Sequence, residues 1–321
     1  MGQIDTLKKQ IRAARADQKV TLDEVKTLER TAKSGPAVKQ AKELLKQTYK
    51  AAKDEFEPAA RSQMRRFLGI RTNLPDPTGM AGDNVTWKWV QGGKLYQEGI
   101  SPADVRQGQA GDCYLLTVLT SLGRNHRNLL EKAVTPLGDG TYNVRFFQRD
   151  AQGTMQPVNV RVDGQLPFRG NVVRYARSPN QRELWAAVVE KAYAQWKGGY
   201  EAIGNGGFPG DVMTELTGRP NTFHGIWRDQ SPDATYRAVK KALAEGKIVN
   251  IGTPDSNALP RGLVKGHAYA VLGVEEKNGK RTLLMRNPWG HFEPGNDGRN
   301  DGFFRVTPEQ LVKWFDGYWM A

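Results

Sequence analysis

The sequence predicts an α+β fold: a helical leader, then a core with a helical half and a half made mostly of short strands. Three observations carry this. Residues 1 to 70 are rich in Ala, Lys, Glu, Leu and Gln and nearly free of aromatics, which is helical composition. After about residue 85 tryptophans, glycines and alternating apolar runs set in. Within that core long helical patterns come first and strands come late, the order expected when a helical layer packs on a β layer.

The leader divides at "SGP", residues 34 to 36, because Gly and Pro end helices. Its segment "ARADQKVTLDEVKTL" has the rhythm of half a calcium-binding helix–loop–helix. With Glu24 at loop position 12, however, Ala13 and Arg15 fall where oxygen ligands belong and Gln18 falls where glycine belongs. Thr21 and Glu24 fit an N-terminal capping box instead, so a helix–turn–helix without calcium is expected. "TNLPDPTGMAGDN" at 72 to 84 is a linker by composition. The expected division is a basic helical extension with linker over 1–80 and one domain over 81–321, itself parting near residue 225.

In the core, "DCYLLTVLTSLGR" predicts a helix ending near Gly123. "GTYNVRFFQ" and "VNVRVDGQLP" alternate and predict strands. "RELWAAVVEKAYAQW" and "DATYRAVKKALAEG" predict amphipathic helices, the second closed by glycine. "KIVNIGTP", "GHAYAVLGVEEK", "RTLLMRNPWG" and "DGFFRVTPE" predict short strands among loops.

A single cysteine, Cys113, excludes an internal disulfide and suits a reducing compartment. The first 18 residues hold no apolar signal core, so a cytoplasmic location is expected. No run approaches the ~18 apolar residues of a membrane span. Net charge is +13, and the first 70 residues carry 16 Lys and Arg against 9 Asp and Glu. Such an extension can bind an acidic partner, an anionic lipid or nucleic acid, and the plainer reading is a solvated helical segment. Nucleic acid is disfavoured because no stacking aromatics are interleaved there. Oligomeric state is not readable from the sequence.

Cys113 opens a helix after "QGQAGD". Free amides and the helix dipole at that end favour a thiolate, and the glycines suggest a backbone that a substrate can approach. A lone cysteine is ordinarily a small buried hydrophobe, so a base must be found. Of the four histidines, 126, 224, 267 and 291, only His267 lies where a partner is in view. Two adjacent antiparallel strands would bring it beside Asn287 of "RNPWG", whose carbonyl oxygen can orient an imidazole.

Taken together, "QGQAGDCYLL", "LVKGHAYAVLG" and "RNPWG" resemble the calpain family of papain-like cysteine proteases. The resemblance covers about residues 85 to 321 and does not extend to residues 1 to 80. It implies a papain-like core of two subdomains, about 81–225 with the cysteine and about 226–321 with His267 and Asn287. It implies an endopeptidase acting on proteins, with Cys113 as nucleophile, His267 as base, Asn287 orienting the ring and Gln107 in the oxyanion hole. Trp289 would shield the Asn–His bond, and Tyr114 replaces the more usual tryptophan. The resemblance further implies calcium stimulation through two sites. Gly99, Asp104 and Glu183, with the Gln97 carbonyl, match the first. Glu293, Asp297 and Asp301 match the second, where Phe303 replaces a further acid and weakens a hard-cation site. The competing function is a catalytically weak binding module whose basic leader targets nucleic acid or an anionic surface.

Overall fold

The computed structural model describes residues 2–227, 229–295 and 298–321. The chain forms two compact units, Met1–Leu74 with Pro136–Thr141, and Pro75–Thr135 with Tyr142–Ala321.

In the first unit four helices, α1 (Gln3–Ala14), α2 (Leu22–Lys33), α3 (Val38–Ala52) and α4 (Pro58–Leu68), bury one apolar stripe each. Leu7, Val25, Leu45, Ala60 and Met64 meet in a closed core. The capping box forms: Glu24 Oε2 accepts from Thr21 N at 2.8 Å, and Thr21 Oγ1 accepts from Glu24 N at 3.4 Å. Gln18 takes a left-handed φ of 60° at the turn where glycine would be easier. The α1–α2 and α3–α4 turns join through a bridge between Val20 and Phe56.

The second unit opens with an extended segment from Pro75 to strand β1 (Thr86–Trp89). Composition reads this segment as linker, yet its side chains are anchored. Asp76 pairs with the buried Lys191 at 2.6 Å, and Asp83 holds Arg174 at 2.6 Å. Next come α5 (Cys113–Asn125), α6 (Arg127–Ala133) and the meander β2 (Val134–Pro136), β3 (Thr141–Arg149) and β4 (Met155–Asp163). Strands β5 (Gln165–Arg169) and β6 (Val172–Val173) form a second small sheet with β1. Helices α7 (Trp185–Lys197), α8 (Tyr200–Ile203) and α9 (Pro209–Thr217) complete this half. Residues Tyr114 to Gly123 of α5 are all buried, which is why its sequence is apolar on nearly every side. It packs with Trp185, Val188 and Val189 of α7.

The other half holds β7 (Thr222–Gly225), α10 (Pro232–Ala244), β8 (Val249–Gly252), β9 (Ala268–Lys277), β10 (Lys280–Arg286), β11 (Phe303–Val306), α11 (Pro308–Trp314) and β12 (Gly317–Met320). The six strands form one antiparallel sheet in the order β11-β10-β9-β8-β12-β7. Its core gathers Val249, Ile251, Tyr269, Val271, Leu283 and Met285. The late strands follow the predicted runs. The early half carries more strand than its helical pattern suggested, because β1, β5 and β6 are short and partly polar.

Direct bonds join the halves. Buried Asn250 on β8 reaches Thr117 Oγ1 and Ser121 Oγ of α5, both at 3.0 Å. Arg286, 1% exposed at the end of β10, donates to the Val105 carbonyl at 2.8 Å and the Ala103 carbonyl at 3.4 Å. Gln107 N donates to the Pro288 carbonyl at 2.9 Å.

Candidate active site

Cys113 is the first residue of α5, with Asp112 as a cap whose carboxylate makes no capping bond. The first-turn amides of a helix lack intrahelical acceptors, and those of Cys113 and Tyr114 face the sulfur. So does the Ala268 N–H from β9, across the junction of the halves. Burial pushes the thiol up to about 11, and the Asp112 charge adds to the rise.

The glycines before it serve the fold and not a substrate. A Cβ on Gly108 would overlap the backbone of Arg174 and Tyr175, and one on Gly111 would overlap the Gly204 carbonyl. The loop is threaded between two stretches of the protein's own chain, which only glycine permits.

His267 is 6% exposed, just before β9. Its Nε2 lies 3.0 Å from Asn287 Oδ1. The Asn287 amide has one consistent orientation. Its Nδ2 donates to the Phe292 carbonyl at 2.8 Å, and its Oδ1 accepts from Trp289 N at 3.0 Å. An oxygen facing the ring makes Nε2 the protonated nitrogen and leaves Nδ1 as the acceptor. Trp289 packs on the ring with centroids 5.1 Å apart, and Tyr269 meets its edge at 4.9 Å. Burial lowers the imidazole to about 4, against a smaller upward pull from the Asn287 bond. Thr253 fixes the backbone, its Oγ1 accepting from His267 N at 3.0 Å. Of the other histidines, His224 stacks on Tyr318, and His291 Nδ1 lies 3.1 Å from the Trp289 carbonyl.

Gln107 is buried, with Nε2 donating to the Ala110 carbonyl at 2.8 Å. Its amide is thereby held in the loop that leads to Cys113, with a second amide hydrogen left to donate.

A residue pair that the sequence reading missed lies beneath the nucleophile. Asp112 and Glu190 lie side by side, both fully buried, and no N–H or hydroxyl donates to either Asp112 oxygen. Two carboxyls can lie so only when one holds a proton. Burial pushes Asp112 up to about 7, and burial with the Asp112 charge pushes Glu190 up as well. Glu190 Oε1 also accepts from Ala176 N at 2.9 Å. The available signal was an acid inside the otherwise apolar run "WAAVVEKAY".

The two sets of acids expected to bind calcium differ. Asp104 and Glu183 do approach each other, with Glu98 nearby; burial raises both carboxyls, Glu98 adds to the rise of Asp104, and Asp104 and Glu98 add to that of Glu183. Their oxygens are engaged: Asp104 Oδ2 accepts from Ser101 N at 2.7 Å and from the Trp185 indole at 3.1 Å, and Glu183 Oε1 accepts from Gln97 N at 3.1 Å. Gly99 sits in the intervening loop at φ 90°. In the second set Glu293 accepts from Asp301 N and Gly302 N, both at 3.1 Å, which closes the loop. Asp297 lies outside the described residues. Phe303 stacks under the Arg286 guanidinium at 5.1 Å. Among the described residues no three acidic, histidine or cysteine side chains converge as a metal shell. Among the described residues these side chains do not by themselves complete a calcium coordination sphere.

The sequence profile of calpain family cysteine proteases matches residues 67–297. The chain belongs to the calpain family. It is 34% identical over 292 residues to the calpain-1 catalytic subunit of Mus musculus, covering 83% of this chain and 40% of the relative. Identity to calpain-9 of Rattus norvegicus is 30% over 277 residues, 81% of this chain and 38% of the relative. The chain thus spans about two fifths of the length of these calpains. Among the described residues no helix is long and apolar enough to cross a membrane.

Proposed function

We propose that this calpain-family chain is a cysteine endopeptidase acting on proteins, with Cys113, His267 and Asn287 as its triad and Gln107 as an oxyanion donor. The observation that supports it most is the Asn287 amide. Its bonds to Phe292 and Trp289 turn its oxygen to the imidazole, which leaves Nδ1 basic. With the thiol raised and the imidazole lowered, both rest neutral at pH 7.

Attack then proceeds with proton transfer. The Cys113 thiol gives its proton to His267 Nδ1 as sulfur bonds the scissile carbonyl carbon. The imidazolium formed is stabilised through Nε2–H by Asn287. The carbonyl oxygen becomes an oxyanion that accepts from Gln107 Nε2 and the Cys113 N–H, each such donor being worth ~3 kcal/mol. As the C–N bond breaks, the imidazolium protonates the departing amine and a thioester remains. Water, deprotonated by the same imidazole, attacks the thioester and releases the acid and the thiol.

Calcium stimulation belongs to this proposal as a modulation. Its support is the nearness of Glu98, Asp104 and Glu183, with Asp104 and Glu183 raised first by burial and then by neighbouring acids. The test is digestion of an unfolded protein by wild type and Cys113→Ser, with and without chelator. Cleavage by the serine variant at the wild-type rate would refute the nucleophile.

A further inference from the structure

Beside the site lies a cleft of about 360 Å³ whose walls include Gln107 and Trp289. The position of these two side chains says which part of a substrate enters it. Gln107 marks the oxyanion, hence the scissile carbonyl. Trp289 packs on His267, the ring that hands its proton to the departing amine. A chain that continues past the amine over Trp289 runs into this cleft.

The far wall is cationic. Arg169, Arg174 and Arg177 line it, together with His291. Two carboxylates reach them, Asp83 and the buried Glu190, which acts on Arg177. Asp83 holds Arg174 through Nε at 2.9 Å and Nη2 at 2.6 Å, and Arg169 lies within its electrostatic reach. Arg177 bonds only carbonyls, those of Val173 at 3.4 Å and Tyr175 at 3.3 Å. Arg169 and Arg177 form no ion pair among the described residues. Behind Arg177 stands Arg106, paired with it backbone to backbone, and each guanidinium repels the other. The Arg106 Nε is buried without a partner. Three guanidinia, with Arg106 behind them, against Asp83 and the buried Glu190 leave net positive charge in a half-enclosed cleft that water screens incompletely. The exposed Val172 supplies an apolar rim.

We propose that this cleft is the subsite for the residues that follow the scissile bond, and that it selects an acidic side chain, Asp or Glu, within the first three of them. The proposal rests on the protease reading and adds the charge class of the substrate. Arg169, on the open rim, meets the carboxylate first, and Arg177 with its planar fork seats it.

The test uses full-length enzyme and quenched peptides amidated at the C-terminus. Glu, Gln or Lys is placed in turn at the first three positions after one fixed scissile bond. The expected kcat/KM ratio of Glu to Lys peptide is roughly tenfold at the best position and falls at 0.5 M salt. Arg169→Gln and Arg177→Gln should each pull that ratio towards one. Binding of the same peptides to full-length Cys113→Ser, read by fluorescence anisotropy, gives the ratio without turnover. Lack of cleavage with the binding preference intact therefore sinks the protease reading alone. A ratio near one in both assays, or a ratio unmoved by both arginine variants, overturns the proposal. Peptides ending in a free carboxylate at the second position form a last arm. If only these gain, the cleft reads a chain terminus, and the side-chain assignment is overturned.

Discussion

Glu190→Gln offers a direct measure of the proton shared beneath Cys113. In the native protein Asp112 is raised from 3.8 to about 7, first by burial, while Glu190 is raised beside it. An acid whose folded pKa is raised supports the fold while protonated in both states. That support is lost as pH climbs from the unfolded value through the folded one. Over a shift of about three pKa units at 1.36 kcal/mol each, the loss comes to about 4 kcal/mol between pH 4 and 7. Glutamine keeps the shape. Its oxygen can still accept from Ala176 N, and its amide gives Asp112 a donor at every pH. Burial keeps Asp112 raised, but the variant removes the titration of Glu190 and with it the stability that its raised pKa loses as pH climbs. Other carboxylates pull the opposite way, among them Asp83 and Glu275, which arginines hold low. The quantity to follow is therefore the difference between variant and wild type. Urea unfolding at pH 4, 5.5 and 7 should show Glu190→Gln gaining on wild type as pH rises across that range. Parallel curves would mean that the two carboxyls share no proton.

Three further outcomes are expected. Arg286→Met leaves the Val105 and Ala103 carbonyls without their donor, and should cost about 2–4 kcal/mol in urea unfolding and lower kcat with the loosened halves; unchanged stability and kcat would show that the halves do not rely on it. Because His267 is lowered to about 4, the acid limb of kcat/KM should fall near pH 4 and not near 6.5, and Asn287→Ala should push it lower while cutting kcat by roughly a hundredfold; a limb at 6.5 would mean that the ring is solvated. Chelator should reduce activity without abolishing it, since Asn250, Arg286 and Gln107 bind the halves directly, and Asp104→Ala should blunt the response to added calcium more than Asp301→Ala; complete silence in chelator would show that those bonds do not assemble the site.

What the sequence disclosed follows from how local each signal was. The Thr21–Glu24 box, the apolar run after Cys113 and the strands around His267 and Asn287 are written in consecutive residues, and each appears within a residue or two. His267 and Asn287 could be paired in advance because a single hairpin links them. Features joined across the chain were hidden. The glycines at 108 and 111 looked like openings for a substrate, since nothing nearby shows that Arg174 and Gly204 pass against them. Asp112 with Glu190 and Arg286 with Val105 are separated by tens of residues or more, and a buried charge looks no different in sequence from an exposed one. Composition marked 72 to 84 as linker, because Pro, Gly and Asp serve an anchored extended segment as well as a free one.

That anchored segment bears on the order in which the chain folds. The Lys191 ammonium sits 1% exposed between Asp76 and Asp163, at 2.6 and 2.7 Å, with the Trp87 ring 4.6 Å away. Asp163 is 28 residues from it, but Asp76 is 115 residues away. Closing the shorter loop costs less entropy, so α7 can settle against β4 first. Until residues 75 to 85 arrive, the ammonium is enclosed with one of its two counter-charges missing. Newly folded molecules should then pass through a stage in which α7 amides are protected from exchange while those near Asp76 still exchange freely. The first part of this unit to leave the ribosome would be the last to lock.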